Sequence, residues 1–518
     1  MKMYCIAKTP KNYPIFSVKS IQAWEQRWFA QGNSSFGLMQ QASLLIANGI
    51  EQFLLQQYAY HQYQNVRILL CCGVGNNGGD GYLTACYLSQ KGFDVQIFAV
   101  AEPVTADAQR AKLQAIQQNI AFITQLTPHF DVYIDALFGI GLDRTLSAQD
   151  QQIVQCLNQY RAIKIALDVP SGLQADTGVA LPIAVRADAT FTVLGLKMGL
   201  CTGQGRSYAG QIFQIPLIPQ DDDVQPLAWL NSQAPQIFAR SAHAHKGDFG
   251  HVLIVGGHQN MGGAVMMAAE AAIACGAGKV TVMCHRQHHQ AILSRSPNVM
   301  LKDIDDCHDT ASFAEFLQQI DSIAFGMGLG RDAWALHIYQ TCMAQFQHYI
   351  KANAQRRLIL DADALYFLAQ TELSSTQQLN TQVILTPHSA EAGRLLAQSA
   401  AMIEQDRVAA IAALQQKYGG QWVLKGAGTL CLAKQSAPCS LSVCAFGNAA
   451  MATAGMGDVL SGVLAALQAH TPSYTIADAV ALHALAGDLL AQGAYSIQAH
   501  AMPQALQQVM YRACNGTA

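Results

Sequence analysis

A chain of 518 residues is too long for one hydrophobic core and should divide into two domains, or three. Hydrophobic residues make up 51% and charged ones 13%, and a net charge of -3 gives no reason to expect nucleic acid or an anionic membrane as partner. The 14 cysteines are scattered without a C-x-x-C pair, Met1–Pro14 holds no apolar leader, and no apolar stretch runs long enough to span a membrane, so the expectation is a cytoplasmic protein with free thiols and no structural zinc.

In chain order, Ser17 to about Tyr63 reads as packing helices, with Trp24, Trp28, Phe29, Leu44 and Leu45 at helical spacing. Val66–Cys72 is an apolar strand. It enters Gly73-Val74-Gly75-Asn76-Asn77-Gly78-Gly79-Asp80-Gly81 and then a helix. This contains G-x-G-x-x-G, and Glu102 follows the next strand, Val95–Val100, as a dinucleotide fold would have it. The extra Asn and Asp side chains offer contacts to ribose, amide or a cation that a bare pyrophosphate turn does not need. Asp131–Asp135 and Lys164–Asp168 are strands ending in carboxylates, the second running into Val169-Pro170-Ser171-Gly172. Strand ends face the ligand crevice of an open parallel sheet, so the glycine turn, Asp135, Asp168 and Ser171 are expected to converge. Such hard oxygen donors suit a monovalent or hard divalent cation. Ala189–Leu194 reads as a further strand, and Lys197 in the glycine-flanked turn after it reads most simply as a solvated lysine.

Pro216, Pro219, Asp221-Asp222-Asp223, Pro226 and Pro235 break the pattern, which places a linker over 221–240 between domains at 1–220 and 241–518. His243, His245 and His251 lack a carboxylate or Cys partner at ligand spacing and make a poor metal site. The α/β alternation then restarts with new sequence. Strands at His251–Val255, Lys279–Met283, Ser322–Phe325, Leu358–Leu360, Val383–Leu385 and Trp422–Leu424 mostly end in Gly, Asp, His or Lys. The last loop is Gly455-Met456-Gly457-Asp458, opening a helix through Val459, Leu460 and Val463. Free amides and the positive end of the helix dipole make that turn a phosphate seat. A carboxylate beside an anion is tolerable if Asp458 takes a proton from a hydroxyl as it attacks phosphorus. No G-x-x-x-x-G-K-[ST] is present, so this is not a P-loop protein.

Asn76-Asn77-Gly78-Gly79-Asp80-Gly81 with Asp168-Val169-Pro170-Ser171-Gly172 resembles the YjeF N-terminal domain, an NAD(P)H-hydrate epimerase. From His245-Lys246-Gly247-Asp248 onward, Gly262-Gly263-Ala264, Asp361-Ala362-Asp363, Lys425-Gly426-Ala427-Gly428-Thr429 and Gly455-Met456-Gly457-Asp458 resemble the ribokinase-like dehydratases related to carbohydrate kinases. Together they resemble the bacterial bifunctional NAD(P)H-hydrate repair enzymes. The resemblance implies an α/β chain of two domains, a Rossmann-like parallel-sheet domain followed by a ribokinase-like one. It further implies a homo-oligomer, a tetramer, whose ligands are NAD(P)H hydrates and ADP.

The roles that follow are implied in the same way. Asn76, Asn77, Gly78, Gly79, Asp80, Gly139, Ile140, Gly141, Leu142, Asp143, Arg144, Thr145 and Asp168 would bind the hydrate in the epimerase, with Asp168 catalytic, while Asn77, Asp135 and Ser171 would hold K+. In the dehydratase, Ala264, Gly330, His388 and Asp458 would contact the hydrate, with Asp458 as catalytic base. Lys425, Gly426, Ala427, Gly428, Thr429 and Gly457 would bind ADP, with Mg2+. Val74 and Met327 stand where the family commonly has proline, Ser389-Ala390 where it has Pro-Gly, and Ala454 where it has glycine. Two readings compete: a ribokinase-type small-molecule kinase with a nucleotide-sensing domain, and a non-enzymatic binder.

Overall fold

The apolar runs become parallel strands covered on both faces, which is why they lack polar alternation. The computed structural model describes residues 4–5, 12–58, 63, 65–371, 378–433, 440–470 and 474–516, and the chain forms two compact units, Met1–Ser232 and Gln233–Ala518. The sheet of the first unit runs β1 (Tyr4–Cys5), β10 (Gln211–Ile215), β8 (Ala189–Val193), β7 (Ile163–Leu167), β6 (Val132–Ala136), β3 (Arg67–Cys72), β4 (Asp94–Ala99), β5 (Ala121–Ile123). All neighbours are parallel except β1 with β10. From β3 the chain winds outward through β4 and β5, then returns to β6 and winds the other way. The reversal between β3 and β6 opens a crevice at their C-terminal ends. Helices Val18–Ala30 and Ser35–Gln57 precede the parallel strands, each started by a serine that accepts from the amide three residues on.

One expectation needs correcting. Within the stretch read as linker, β11 (Ala228–Asn231) pairs antiparallel with β2 (Tyr13–Phe16), which is itself parallel to β9 (Leu196–Lys197). The prolines flank this strand rather than prevent it, and its partner lies near the start of the chain, beyond the reach of local periodicity.

In the second unit the strands run β14 (Met300–Asp303), β13 (Lys279–Cys284), β12 (His251–Val255), β15 (Ser322–Phe325), β16 (Arg357–Leu360), β17 (Leu379–Leu385), β18 (Gly419–Leu424), β19 (Leu430–Leu432), β20 (Leu441–Cys444). They are parallel as far as β18 and antiparallel beyond it. The direction of winding reverses between β12 and β15. Helix Met456–Ala469 is buried over most of its length and packs on helix Gly262–Ala274. Gly462 permits the contact, since a Cβ there would stand 2.0 Å from the Ala268 carbonyl oxygen. No described helix is long and apolar enough to cross a membrane.

Candidate active sites

In the first unit the ends of β3, β6 and β7, with helix Val18–Ala30, wall a cavity of about 420 Å³. Asp168, just past β7, sits at φ +66°, a left-handed conformation uncommon for a residue with a Cβ. Its carboxylate accepts from Lys197 Nζ, from Ile140 N at 3.3 Å and from Val193 N at 3.4 Å. Lys197 is wholly buried, and it also donates to Thr192 Oγ1 at 3.0 Å and Val193 O at 2.7 Å. Three acceptors match the three ammonium hydrogens, which is how a lysine is accommodated away from water. The reading of Lys197 as solvated is therefore wrong. It is the counter-ion of Asp168.

Two more carboxyls face this pair. Burial pushes Glu25, on helix Val18–Ala30, up to about 7, with the Asp168 charge adding and the Lys197 charge opposing. Burial likewise holds Asp80 well above the usual carboxylate range, helped by Asp168 and Glu25 and opposed by the Ser43 hydroxyl at 3.4 Å. Behind them Asp135 accepts from Ser171 N (2.7 Å), Ser171 Oγ (2.5 Å) and Leu137 N (3.2 Å), yet burial still pushes it up to about 6. Phe138 N donates to Ser171 Oγ at 2.9 Å, which ties the loop after β6 to the one after β7. The Asn77 side-chain nitrogen is buried without a hydrogen-bond partner. The two ends of an amide are exchanged by a flip, so this orphan is suited to presenting its oxygen to a cation. A Cβ on Gly139 would stand 3.2 Å from Asp168 Oδ2 and 3.4 Å from Asn77 Cβ, so that glycine keeps the space between them open.

Asn76, Asn77, Asp80, Gly139, Ile140, Gly141, Leu142 and Asp168 all line the cavity. Five expected residues do not. Gly78 and Gly79 are packing glycines: a Cβ on Gly78 would meet the Gly73 carbonyl oxygen at 2.0 Å, and one on Gly79 the Met39 side chain at 2.7 Å. Asp143, Arg144 and Thr145 are solvent-exposed, because the loop leaves the crevice once Leu142 has buried itself. Glu102, placed after its strand as a dinucleotide fold would have it, pairs with Lys112 at 2.6 Å outside the cavity lining.

In the second unit the ends of β16, β17 and β18 meet the start of helix Met456–Ala469. Lys425 donates to Asp361 Oδ1 at 2.8 Å and lies 3.6 Å from Glu391 Oε2. Ser461, within the helix, donates to Asp361 Oδ2 at 2.8 Å. Burial alone would pull Lys425 down, but Asp361, Glu391 and Asp458 outweigh it and hold it above its ordinary value. Burial pushes Asp458 up to about 7, with Asp361, Asp363 and Glu391 adding and Lys425 opposing. The helix starts at Gly455, φ +92°, with no side-chain cap, and among the described residues the amides of Gly457 and Asp458 have no backbone acceptor. A Cβ on Gly457 would stand 3.3 Å from Lys425 Nζ. The result is a half-buried base between free amides and an ammonium, at the positive end of a helix.

The remaining expected residues surround this point or support it. Gly330, φ +85°, donates its amide to Asp363 Oδ2 at 2.9 Å, and Arg331 holds the other oxygen of Asp363 at 2.7 Å. Ala264 lies in the first turn of helix Gly262–Ala274, where its Cβ would be 3.1 Å from a Cβ on Gly328. His388 accepts from Ala390 N through Nδ1 at 3.1 Å and turns Nε2 toward Glu391 at 3.4 Å. Gly426 (φ +144°) and Gly428 (φ +62°) shape the turn after Lys425, Ala427 is exposed, and Thr429 Oγ1 donates back to Gly426 O at 3.0 Å. Sequence reading missed Arg407, buried beneath this turn. It donates to the carbonyls of Leu424 and Lys425, both at 3.1 Å, and to Glu404 at 2.6 Å. Ser389 joins it by donating to Glu404, which gives that departure from the family pattern a structural task. Among the described residues no cluster of three or more His, Cys, Asp or Glu is placed to hold a metal ion.

Two doubly wound units, each gathering carboxylates around a lysine at the sheet rim with at least one acid of raised proton affinity among them, define an enzyme with two acid–base sites. Residues 252–508 match the family described as NAD(P)H-hydrate dehydratase, and residues 35–199 the family described as YjeF-related protein N-terminus. The chain is 40% identical over 426 residues to the bifunctional NAD(P)H-hydrate repair enzyme Nnr of Vibrio cholerae, covering 79% of this chain and 82% of that one. It is 34% identical over 467 residues to the Escherichia coli protein of that name, covering 86% and 85%. Of solved structures, a ribokinase-like superfamily protein from Enterococcus faecalis is 33% identical over 54% of this chain and 92% of its own, with a TM-score of 0.47. The chain belongs to the family of bifunctional NAD(P)H-hydrate repair enzymes.

Proposed function

We propose that the first unit interconverts the R and S hydrates of NAD(P)H through Asp168, and that the second dehydrates the S hydrate while ADP becomes AMP and phosphate. Hydration leaves a hydroxyl on ring carbon 6, and hydroxide is a poor leaving group. Asp458 takes the hydroxyl proton as the oxygen attacks the terminal phosphorus of ADP. The bond to AMP breaks, and the amides of Gly455 to Gly457 with the Lys425 ammonium receive the charge on the moving phosphoryl group. The ring nitrogen lone pair then expels phosphate, and loss of a proton from carbon 5 restores the double bond. Lys425, Gly426, Ala427, Gly428, Thr429 and Gly457 seat the nucleotide, and Ala264, Gly330 and His388 position the hydrate.

The observation that carries this reading is Asp458 itself, an acid of raised proton affinity set between free amides and a lysine. Magnesium would enter with the nucleotide, whose phosphates and one or two nearby carboxylates are its usual ligands, and would neutralise phosphate charge there. Potassium fits the first unit, where the Asn77 amide, Asp135 and Ser171 would hold it and it would offset the buried Asp135 charge. Only one epimer can present its hydroxyl to a fixed base, which gives the fusion its purpose. The chain is expected to form a tetramer, checked by light scattering. The functional test is incubation of mixed epimers with ADP and Mg2+, followed at the dihydronicotinamide absorbance. Full conversion of both epimers is expected, whereas a stable phosphorylated vitamin or sugar alcohol would favour a kinase.

A further inference from the structure

Inverting the stereocentre takes two proton transfers, and Asp168 is one group. Its carboxylate is neutralised by Lys197, whose three hydrogens are all engaged, so that lysine has no proton to lend without abandoning a buried contact. Opening the ring at carbon 6 moves one proton off the hydroxyl and another onto the ring nitrogen, and a single carboxylate would have to carry the proton between the two atoms, whereas two acids serve one atom each. Resting on the epimerase reading of this cavity, we propose that Glu25, on the wall formed by helix Val18–Ala30, is the second catalytic residue, the acid that protonates ring nitrogen 1 while Asp168 deprotonates the carbon-6 hydroxyl.

The step balances. Asp168 takes the hydroxyl proton, the oxygen becomes an aldehyde, and the bond from carbon 6 to nitrogen 1 breaks with its electron pair going to nitrogen. Nitrogen then takes the Glu25 proton. Rotation about the bond from carbon 5 to carbon 6 presents the other face of the aldehyde. Nitrogen attacks it and returns its proton to Glu25, while the new alkoxide recovers a proton from Asp168. Both acids end as they began.

Three observations on the molecule support this. Ile21, Gln22 and Glu25 are the helix residues that line the cavity, and Glu25 is the ionisable one. Helix Val18–Ala30 otherwise buries Ile21 and Trp24, so a carboxyl on that side has a cost that packing alone does not explain. The groups facing Glu25 are Asp168, Lys197 and Asp80, and the balance of burial and neighbouring negative charge keeps a proton on Glu25 up to about pH 7. Asp168, hydrogen-bonded to the Lys197 ammonium, and Glu25, which meets that charge only through space, are the unequal pair that general acid–base work needs.

The test uses the full chain with separated R and S hydrates and no ADP, so that the second unit is silent, and follows interconversion by chromatography. Glu25→Gln is expected to lower kcat roughly 100-fold or more while KM changes less than about threefold, with Glu25→Asp partly restoring the rate. The parent's rate should fall as pH rises through about 7, and that limb should vanish in Glu25→Gln. Unchanged S-hydrate dehydration with ADP by the same variant shows that the second unit is intact, and the near-unchanged KM for interconversion shows that the cavity of the first is. If Asp168→Asn abolishes interconversion but Glu25→Gln keeps the parent's rate and pH profile, Glu25 has no part and the epimerase reading stands. If the parent itself does not exceed the uncatalysed rate, both ideas fall together.

Discussion

An acid must lose its proton before it can act as a base, and Asp458 holds its proton up to about pH 7 in the free protein. Dehydration should therefore fall as pH drops below about 7, as seen in kcat/KM against pH. Asp458→Asn should reduce dehydration by roughly a thousandfold or more, with hydrate affinity nearly unchanged by fluorescence titration. The same shift bears on stability. A carboxyl whose proton affinity is raised by folding stabilises the fold at low pH, and that contribution is lost as pH rises through its folded value. The inactive Asp458→Asn variant should accordingly melt above the parent at about pH 8, with the gap narrowing toward about pH 5. Equal melting points at both values would mean that Asp458 is not strained by its surroundings. Lys197 is the opposite case. Replacing it by Met leaves Asp168 buried without its partner, which should cost about 3–5 kcal/mol of stability in urea unfolding.

At the scale of elements, two glycines decide whether helices can approach their neighbours. Gly462→Ala places a methyl 2.0 Å from the Ala268 carbonyl oxygen, so helix Met456–Ala469 must back away from helix Gly262–Ala274. A loss of about 1–3 kcal/mol is expected by thermal melting, and dehydration should weaken with it, because that helix carries Asp458. Gly78 does the same for helix Asn76–Gln90 against the Gly73 carbonyl. These glycines look alike in the sequence, and only packing separates one that lines a cavity from one that meets backbone. The strands that carry site residues were legible because parallel strands buried on both faces are continuous apolar runs. Lys197, Glu25 and β11 were not, for a shared reason. The partner that explains each lies far off in the chain: Asp168 for Lys197 and Glu25, β2 for β11. Arg407 is a similar case, since nothing around it in the sequence announces the carbonyls of Leu424 and Lys425 that it binds.

At the scale of the whole molecule, each unit gathers its own site from its own residues, so the two activities should separate cleanly by mutation. Asp168→Asn should leave dehydration of purified S hydrate at the parent's rate. With mixed epimers the absorbance should recover only until the S form is consumed, then creep at the uncatalysed rate. Asp458→Asn should do the reverse, interconverting epimers that it never returns to use.

The enclosed space in the first unit carries a last implication. The one basic residue in the lining of that cavity of about 420 Å³ is Lys197, and it is already committed to Asp168. The extra phosphate that separates the NADPH form from the NADH form, on the adenosine half, would therefore meet no uncommitted cation in this lining. An epimerase built this way reads the injury and ignores the label, and should mend both hydrates with comparable kcat.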